Sequence, residues 1–328
     1  MAGMTEHNSV QQPLVDELVR LGWSYFPGKS LDRQLEQVFL ESEVVDALVR
    51  LNPDVAEVPA RASEVVKLLR NLTFQVDDEG LVETNRDAMS WLRGLQTHKF
   101  VGADLFRPVR LIDFENPANN RFAVADEVSF GSPGNKARFD IVLFVNGLPL
   151  VVGETKTAFK QKVSWITAAN EVAEHYETKF APFFTTNVFS FATEGRELMY
   201  GATGARVEHW MTAGPTKDHP LLTDVLAAAR WLLAPATVLK FLNSFTLFET
   251  PEDNSGSASL IKLIARYMQF EAVELMVGRA HEGQSRRGLI YHTQGSGKTL
   301  AMVFAAGQLL QDPVLANPTV VLVADRVD

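Results

Sequence analysis

Cysteine is absent from all 328 residues, which removes disulfides and thiolate zinc sites and suits a reducing compartment. Positive charge is scarce: 31 Lys and Arg stand against 40 Asp and Glu, a net charge of -9. Sequence-independent affinity for nucleic acid comes from Lys and Arg neutralising phosphates, so any such contact here has to be a local basic surface. No uninterrupted apolar run approaches the ~18–20 residues of a membrane-spanning helix. The opening MAGMTEHNSV lacks the basic and apolar regions of a signal peptide, and no internal repeat is visible. What is left, 46% hydrophobic and 22% charged residues, is ordinary for a soluble globular chain with room for about two domains. A cytoplasmic protein that makes no membrane contact is the expectation.

The most informative stretch runs from Arg138 to Lys156, RFDIVLFVNGLPLVVGETK. Two apolar β runs, Phe139 to Val145 and Leu148 to Gly153, flank Asn146-Gly147, the dipeptide most suited to a tight hairpin turn. Three charges sit at the open end: Asp140 on the first strand, Glu154 and Lys156 on the second. Charges beside buried strands are normally paired or metal-bound. Mg²⁺ takes oxygen ligands and usually one or two carboxylates, so Asp140 and Glu154 are candidate metal ligands. Lys156, two residues past Glu154, projects from the same strand face as Glu154. The set suits metal-assisted phosphodiester cleavage, with an ordinary solvated Glu-Lys pair as the alternative. Parity sets a condition on it. A plain two-residue loop pairs Val145 with Leu148 and puts Asp140 and Glu154 on opposite faces, so the site requires an odd loop or a bulge between them.

The same segment resembles the PD-(D/E)xK nuclease motif, and Phe183-Phe184-Thr185-Thr186-Asn187-Val188-Phe189-Ser190-Phe191-Ala192-Thr193-Glu194-Gly195 is similar to a run typical of the motor-and-nuclease (R) subunit of type I restriction-modification enzymes. The resemblance places Asp140, Glu154 and Lys156 on the catalytic positions. That family usually carries a Gln and a Tyr four residues apart on the following helix. Here Glu171 and His175 have the spacing and Tyr176 is one residue late, which leaves the auxiliary pair unassigned. In related nucleases an early-helix carboxylate can join the metal; Glu36 and Glu41 are the candidates, with surface charge as the alternative.

Elsewhere, periodicity predicts helices over 13–21, 31–39, 44–51, 62–72, 163–180 and 221–248, and strands over 109–114, 121–130, 183–184 and 188–192. Helices around mixed strands make an α/β sandwich with a central sheet. The Phe183, Phe184, Phe189 and Phe191 cluster is expected in the core. Lys136, Arg138, Lys156, Lys160 and Lys162 concentrate positive charge near the hairpin, as a basic groove or as a solvated helix start. Thr250-Pro251-Glu252-Asp253-Asn254-Ser255-Gly256-Ser257 has linker composition, dividing the chain into an endonuclease domain (1–250), a linker (251–258) and a further part (259–328).

That further part carries His292-Thr293-Gln294-Gly295-Ser296-Gly297-Lys298-Thr299, between the apolar run Gly288 to Tyr291 and a helical run from Leu300 to Leu310. A strand feeding a glycine loop that opens a helix is the setting of a phosphate-binding P-loop. Thr293, Gly295, Ser296, Gly297, Lys298 and Thr299 would cradle the phosphates of ATP, Lys298 reaching the β/γ-phosphates and Thr299 holding Mg²⁺. The loop resembles motif I of superfamily 2 helicases, with His292 where a small residue is usual. Gln269 falls where such motors often carry an adenine-reading Gln, and Thr319 to Ala324 followed by Asp325-Arg326 is similar to the next motor strand. No Walker B strand follows, so the expectation is the opening of a RecA-like domain from a longer chain. The resemblance implies a Mg²⁺-dependent endonuclease coupled to an ATP-driven translocase on double-stranded DNA, assembled with methyltransferase and specificity subunits. A helicase-nuclease of DNA repair and a non-cleaving DNA-binding or assembly subunit are the alternatives.

Overall fold

The computed structural model describes residues 7–157, 164–214, 225–251, 259–282 and 287–323. The strands are β1 (Ser24–Pro27), β2 (Thr97–His98), β3 (Arg107–Pro108), β4 (Phe122–Ser132), β5 (Asn135–Val145), β6 (Leu148–Thr155), β7 (Phe189–Thr193), β8 (Leu198–Gly201), β9 (Met211–Thr212), β10 (Thr246–Glu249) and β11 (Ile261–Ile264). The helices are α1 (Gln12–Arg20), α2 (Glu41–Leu51), α3 (Pro53–Glu57), α4 (Ala62–Glu79), α5 (Leu81–Leu92), α6 (Trp165–Asn170), α7 (Glu177–Lys179), α8 (Val225–Leu232), α9 (Pro235–Ser244), α10 (Tyr267–Glu282) and α11 (Lys298–Gln311). Between α6 and α7 the chain continues as a π-helical turn, Glu171–Tyr176.

Seven strands form one mixed sheet in the order β1-β4-β5-β6-β7-β8-β9. β1–β4 and β6–β7 are parallel, and the other neighbours are antiparallel. A parallel pair needs a crossover long enough for a helix, and the α6–α7 run supplies it between β6 and β7. Every residue of β6 is buried, as expected of a central strand covered on both faces. Gly153 lies opposite Phe191, whose ring fills the space a side chain would take: a Cβ on Gly153 would stand 2.0 Å from Cζ of Phe191. Phe183, Phe184, Phe189 and Phe191 are core residues. The core runs on into the C-terminal part, where Phe245 and Phe270 stack with ring centroids 4.3 Å apart.

Several predicted elements take another form. Residues 109–114 are largely buried but irregular, because side chains satisfy the backbone here: Asn52 bonds both the N–H and the C=O of Arg110 at 2.8 Å, and Oδ1 of Asp113 accepts from the N–H groups of Glu115 and Asn116. Such bonds replace a strand ladder. Residues 31–39 form a loop rather than a helix, held by Arg33, which donates to the carbonyls of Gln37 and Ser129. Phe183 and Phe184 lie in the 3₁₀ turn Ala181–Phe184, with Pro182 at its start, whose ring disfavours a ladder position. The long helix predicted over 221–248 is α8 and α9, bent by 53° at a break before Pro235, and then β10; residues 221–224 lie outside the described residues. No single helix among the described residues is long and apolar enough to cross a membrane.

Residues 252–258, nearly all of the expected linker, lie outside the described residues. β10 and β11 on either side of them pair antiparallel. β11 also reaches into the sheet domain, since Nζ of the buried Lys262 donates to the carbonyl of Asn187 at 2.7 Å and to the hydroxyl of Thr203 at 3.2 Å.

Candidate active site

The hairpin turn is the two-residue form. Asn146 and Gly147 have φ of 50° and 80°, the paired positive values of a type I′ turn, and Val145 pairs with Leu148. Asn146 tolerates burial because its amide is fully used, accepting from the N–H of Arg121 and Nη2 of Arg50 and donating to the carbonyl of Leu111 and Oδ1 of Asn120. The register then shifts. Phe144 pairs with Pro149, but Leu143 pairs with Val151, so Leu150 is an extra residue on β6. Pro149 has no N–H to give a ladder, and a bulge is where a strand accommodates that loss. The shift carries Ile141 opposite Gly153, and the next step sets Asp140 against Glu154 on a common face. The required bulge is present.

Asp140, Glu154, Lys156, Glu171, His175 and Tyr176 line one cavity of about 290 Å³ together with Lys136, Ala137 and Arg138. Oδ2 of Asp140 accepts from the N–H of Thr155 at 2.9 Å and from its hydroxyl at 2.8 Å, and Gln11 on α1's approach bonds the Asp140 carbonyl at 2.8 Å. Lys156 pairs with Oε1 of Glu154 and, at 2.6 Å, with Oε2 of Glu171. The hydroxyl of Tyr176 donates within 3.0 Å of Oε1 of Glu171 and 3.3 Å of Oε2 of Glu154.

Burial pushes the Asp140 carboxyl up despite the Thr155 bonds. Burial, then the charge of Asp140, lifts Glu154 to about 9. Burial works against the Lys156 ammonium, but Glu154 and Glu171 outweigh it and hold its pKa above the ordinary lysine value. Glu171 is likewise opposed by burial and held below the ordinary glutamate range by Lys156. Among the described residues no group of three or more His, Cys, Asp or Glu is arranged around a metal, but two carboxylates with bound waters are an ordinary Mg²⁺ set. The residues therefore fit that ion.

Backbone geometry decides which residues of the following helix reach the cavity. In an α-helix Glu171 and His175 share a face; the π turn adds one residue per turn, so Tyr176 joins Glu171 at the cavity that His175 also lines. Such a turn leaves no mark in apolar periodicity, which is why sequence reasoning missed it. The Lys156 side chain is only 18% exposed and is paired on both sides, by Glu154 and by Glu171. Glu36 and Glu41 do not line the cavity, and Glu41 is engaged by Arg70. Lys160 and Lys162 lie outside the described residues.

In the C-terminal part, α11 starts at Lys298 directly after Gly297, which with Gly295 has φ of 78°. Nζ of Lys298 donates to the carbonyls of His292 and Thr293 at 3.1 and 3.0 Å, so Lys298 and Thr293 stand together at the loop. The buried Gln269 sits behind it, donating to the carbonyls of Ser296 and Gly297 and accepting from the N–H of Arg266. Its amide is thus spent on the loop rather than presented to a base edge. Ser296 Oγ is shielded without a partner among the described residues, and Thr299 lies in the first turn of α11. Glycines of positive φ, a helix N-terminus, a lysine and an unpartnered hydroxyl fit a nucleotide's phosphates. The expected strands at 288–291 and 319–323 are irregular and exposed, having no partner strand among the described residues; Ala324, Asp325 and Arg326 lie outside them.

The family model described as type I restriction enzyme R protein N terminus matches residues 3–209, and that of the SWI2/SNF2 ATPase matches residues 268–328. The chain is similar to the type I restriction enzyme HindI endonuclease subunit of Haemophilus influenzae, 32% identical over 99% of this chain and 32% of the relative. It is also similar to the putative type I restriction enzyme MjaVIIP endonuclease subunit of Methanocaldococcus jannaschii, 32% identical over 68% of this chain and 21% of that protein. The chain therefore spans a third or less of the length of these relatives.

Proposed function

Because this chain belongs to the type I restriction enzyme R protein family, we propose that it carries the DNA-cleaving centre of a restriction endonuclease, at Asp140, Glu154 and Lys156. The bulge at Leu150 carries this reading, since without it the two carboxylates could not share an ion. Asp140 and Glu154 are the Mg²⁺ ligands. The bound ion supplies Lewis acidity and a water of lowered pKa. Thr155 fixes Asp140 through Oδ2, and Tyr176 holds Oε2 of Glu154. Glu171 keeps the Lys156 ammonium over the cavity, where it faces the phosphate oxygens of double-stranded DNA as their charge grows.

The P-loop around Lys298 binds ATP and drives movement along DNA, and methyltransferase and specificity subunits supply target recognition. The ATPase match supports the nucleotide part of this reading, and the word subunit in the relatives' printed names supports assembly with other chains. The test is cleavage of supercoiled DNA by the assembled enzyme with Mg²⁺ and ATP, parent against Lys156→Ala. Loss of cutting with retained subunit assembly is expected. Equal cutting by Lys156→Ala removes the nuclease assignment, and a parent that never cuts favours a non-cleaving subunit.

A further inference from the structure

On the reading of this cavity as the cleavage site, we propose that the outer edge of the β4–β5 hairpin is a grip for the DNA backbone, with Lys136 as its phosphate-binding cation. Three carboxyls line the cavity, Asp140, Glu154 and Glu171, in a chain of net charge -9. A polyanion approaching them needs a cation at the entrance that is not already neutralised. Lys156 is paired with Glu154 and Glu171, and Arg138 with Glu127 at 3.0 Å. Lys136 also lines the cavity and is exposed, and no ion pair joins it among the described residues.

The strand points this cation the right way. Along β5, Ala137 and Phe139 are buried while Lys136 and Arg138 are exposed, so Lys136, Arg138 and Asp140 share one face by the two-residue period. The arm is stiff as well as charged. Ser132 pairs with Asn135 across Pro133-Gly134, Gly134 has φ of 95°, and the N–H of Gly131 donates to the carbonyl of Leu35 at 3.1 Å. Lys136 precedes Asp140 by four residues, roughly 13 Å along the strand. Each duplex strand advances about 3.4 Å per phosphate, so a cation rooted that far along the strand, at the cavity mouth, is placed for a phosphate beside the one being cut and serves binding rather than the chemistry.

The test measures binding of a short fluorescent duplex to the full chain across a salt series, for the parent, Lys136→Gln and Lys136→Arg. Removing one phosphate contact lowers the slope of log affinity against log salt by about 0.9, equivalent to on the order of eightfold weaker binding near 0.1 M salt. Lys136→Arg restores the slope, and melting is unchanged in both variants. Equal slopes for parent and Lys136→Gln, a loss that arginine fails to rescue, or a parent that does not bind the duplex overturns the grip. Cleavage by Glu154→Gln in the assembled enzyme is measured alongside. Unchanged cutting there refutes the nuclease reading alone, since it leaves the salt slope of Lys136→Gln untouched.

Discussion

Replacing Glu154 with glutamine should stabilise the metal-free protein at alkaline pH while abolishing cleavage. Glu154 is 2% exposed, and its pKa stands at about 9 against an ordinary 4.5, through burial and then the charge of Asp140. A carboxyl whose folded pKa is raised contributes its full stability below the unfolded value, and that contribution is lost as pH rises through the folded value. Parent stability without metal should therefore decline from about pH 5 to pH 9. Near pH 8 the deficit attached to this one group approaches about 5 kcal/mol, with the Lys156 pairing already counted in the raised pKa, and the weaker contact of a neutral amide with Lys156 leaves only part of it to be recovered. The amide cannot ionise, and it keeps an acceptor for Lys156. With roughly 2 kcal/mol recovered, Tm of Glu154→Gln should exceed that of the parent by roughly 3–4 °C near pH 8, and the gap should close toward pH 5. Mg²⁺ should act in the opposite sense, since an ion at tenfold its Kd stabilises the parent by about 1.4 kcal/mol and the variant by much less. Thermal melts across pH, with chelator and with Mg²⁺, read both effects. A variant that melts below the parent near pH 8 without metal, or that gains as much from Mg²⁺, refutes the account of Glu154 as a ligand held uncomfortably in the absence of its ion.

Tyr176→Phe keeps the ring that meets Phe139 edge-on at 5.0 Å but removes the hydroxyl from Glu154 and Glu171, so cleavage should fall about 10–100-fold with little change in melting; an unchanged rate would separate Tyr176 from the site. Gly153→Ala sets a methyl against the Phe191 ring and should destabilise by about 1–3 kcal/mol, partly relieved in the double variant with Phe191→Leu; a neutral Gly153→Ala would mean that the ring moves freely. Lys298→Ala should weaken binding of a fluorescent ATP analogue at least tenfold without altering melting, and equal binding would remove Lys298 from the phosphate site.

Much of the hairpin was legible because it is local. Asn146-Gly147 marks the turn, and parity demanded an odd loop or a bulge before Asp140 and Glu154 could meet; that it is a bulge, and that it sits at Leu150 beside Pro149, needed coordinates. The helix after Lys298 was equally legible, from glycines directly followed by an apolar helical run. Readings that depended on distant partners fared worse. The strand expected over 109–114 lost its ladder to Asn52 and Asp113, and the helix expected over 31–39 gave way to a loop pinned by Arg33 to the hairpin.

By itself the sequence determined the chemical inventory, two carboxylates and a lysine at the end of an apolar hairpin and a glycine-lysine loop opening a helix, because turn type and strand parity are set by neighbouring residues. Tertiary structure alone decided what surrounds them: Glu171 on Lys156, Tyr176 brought round by a π turn, Gln269 behind the P-loop, and Lys262 under Asn187. These contacts depend on a local π turn or join separate elements, and such hydrogen-bond partners are chosen by how the layers pack rather than by any pattern along the chain.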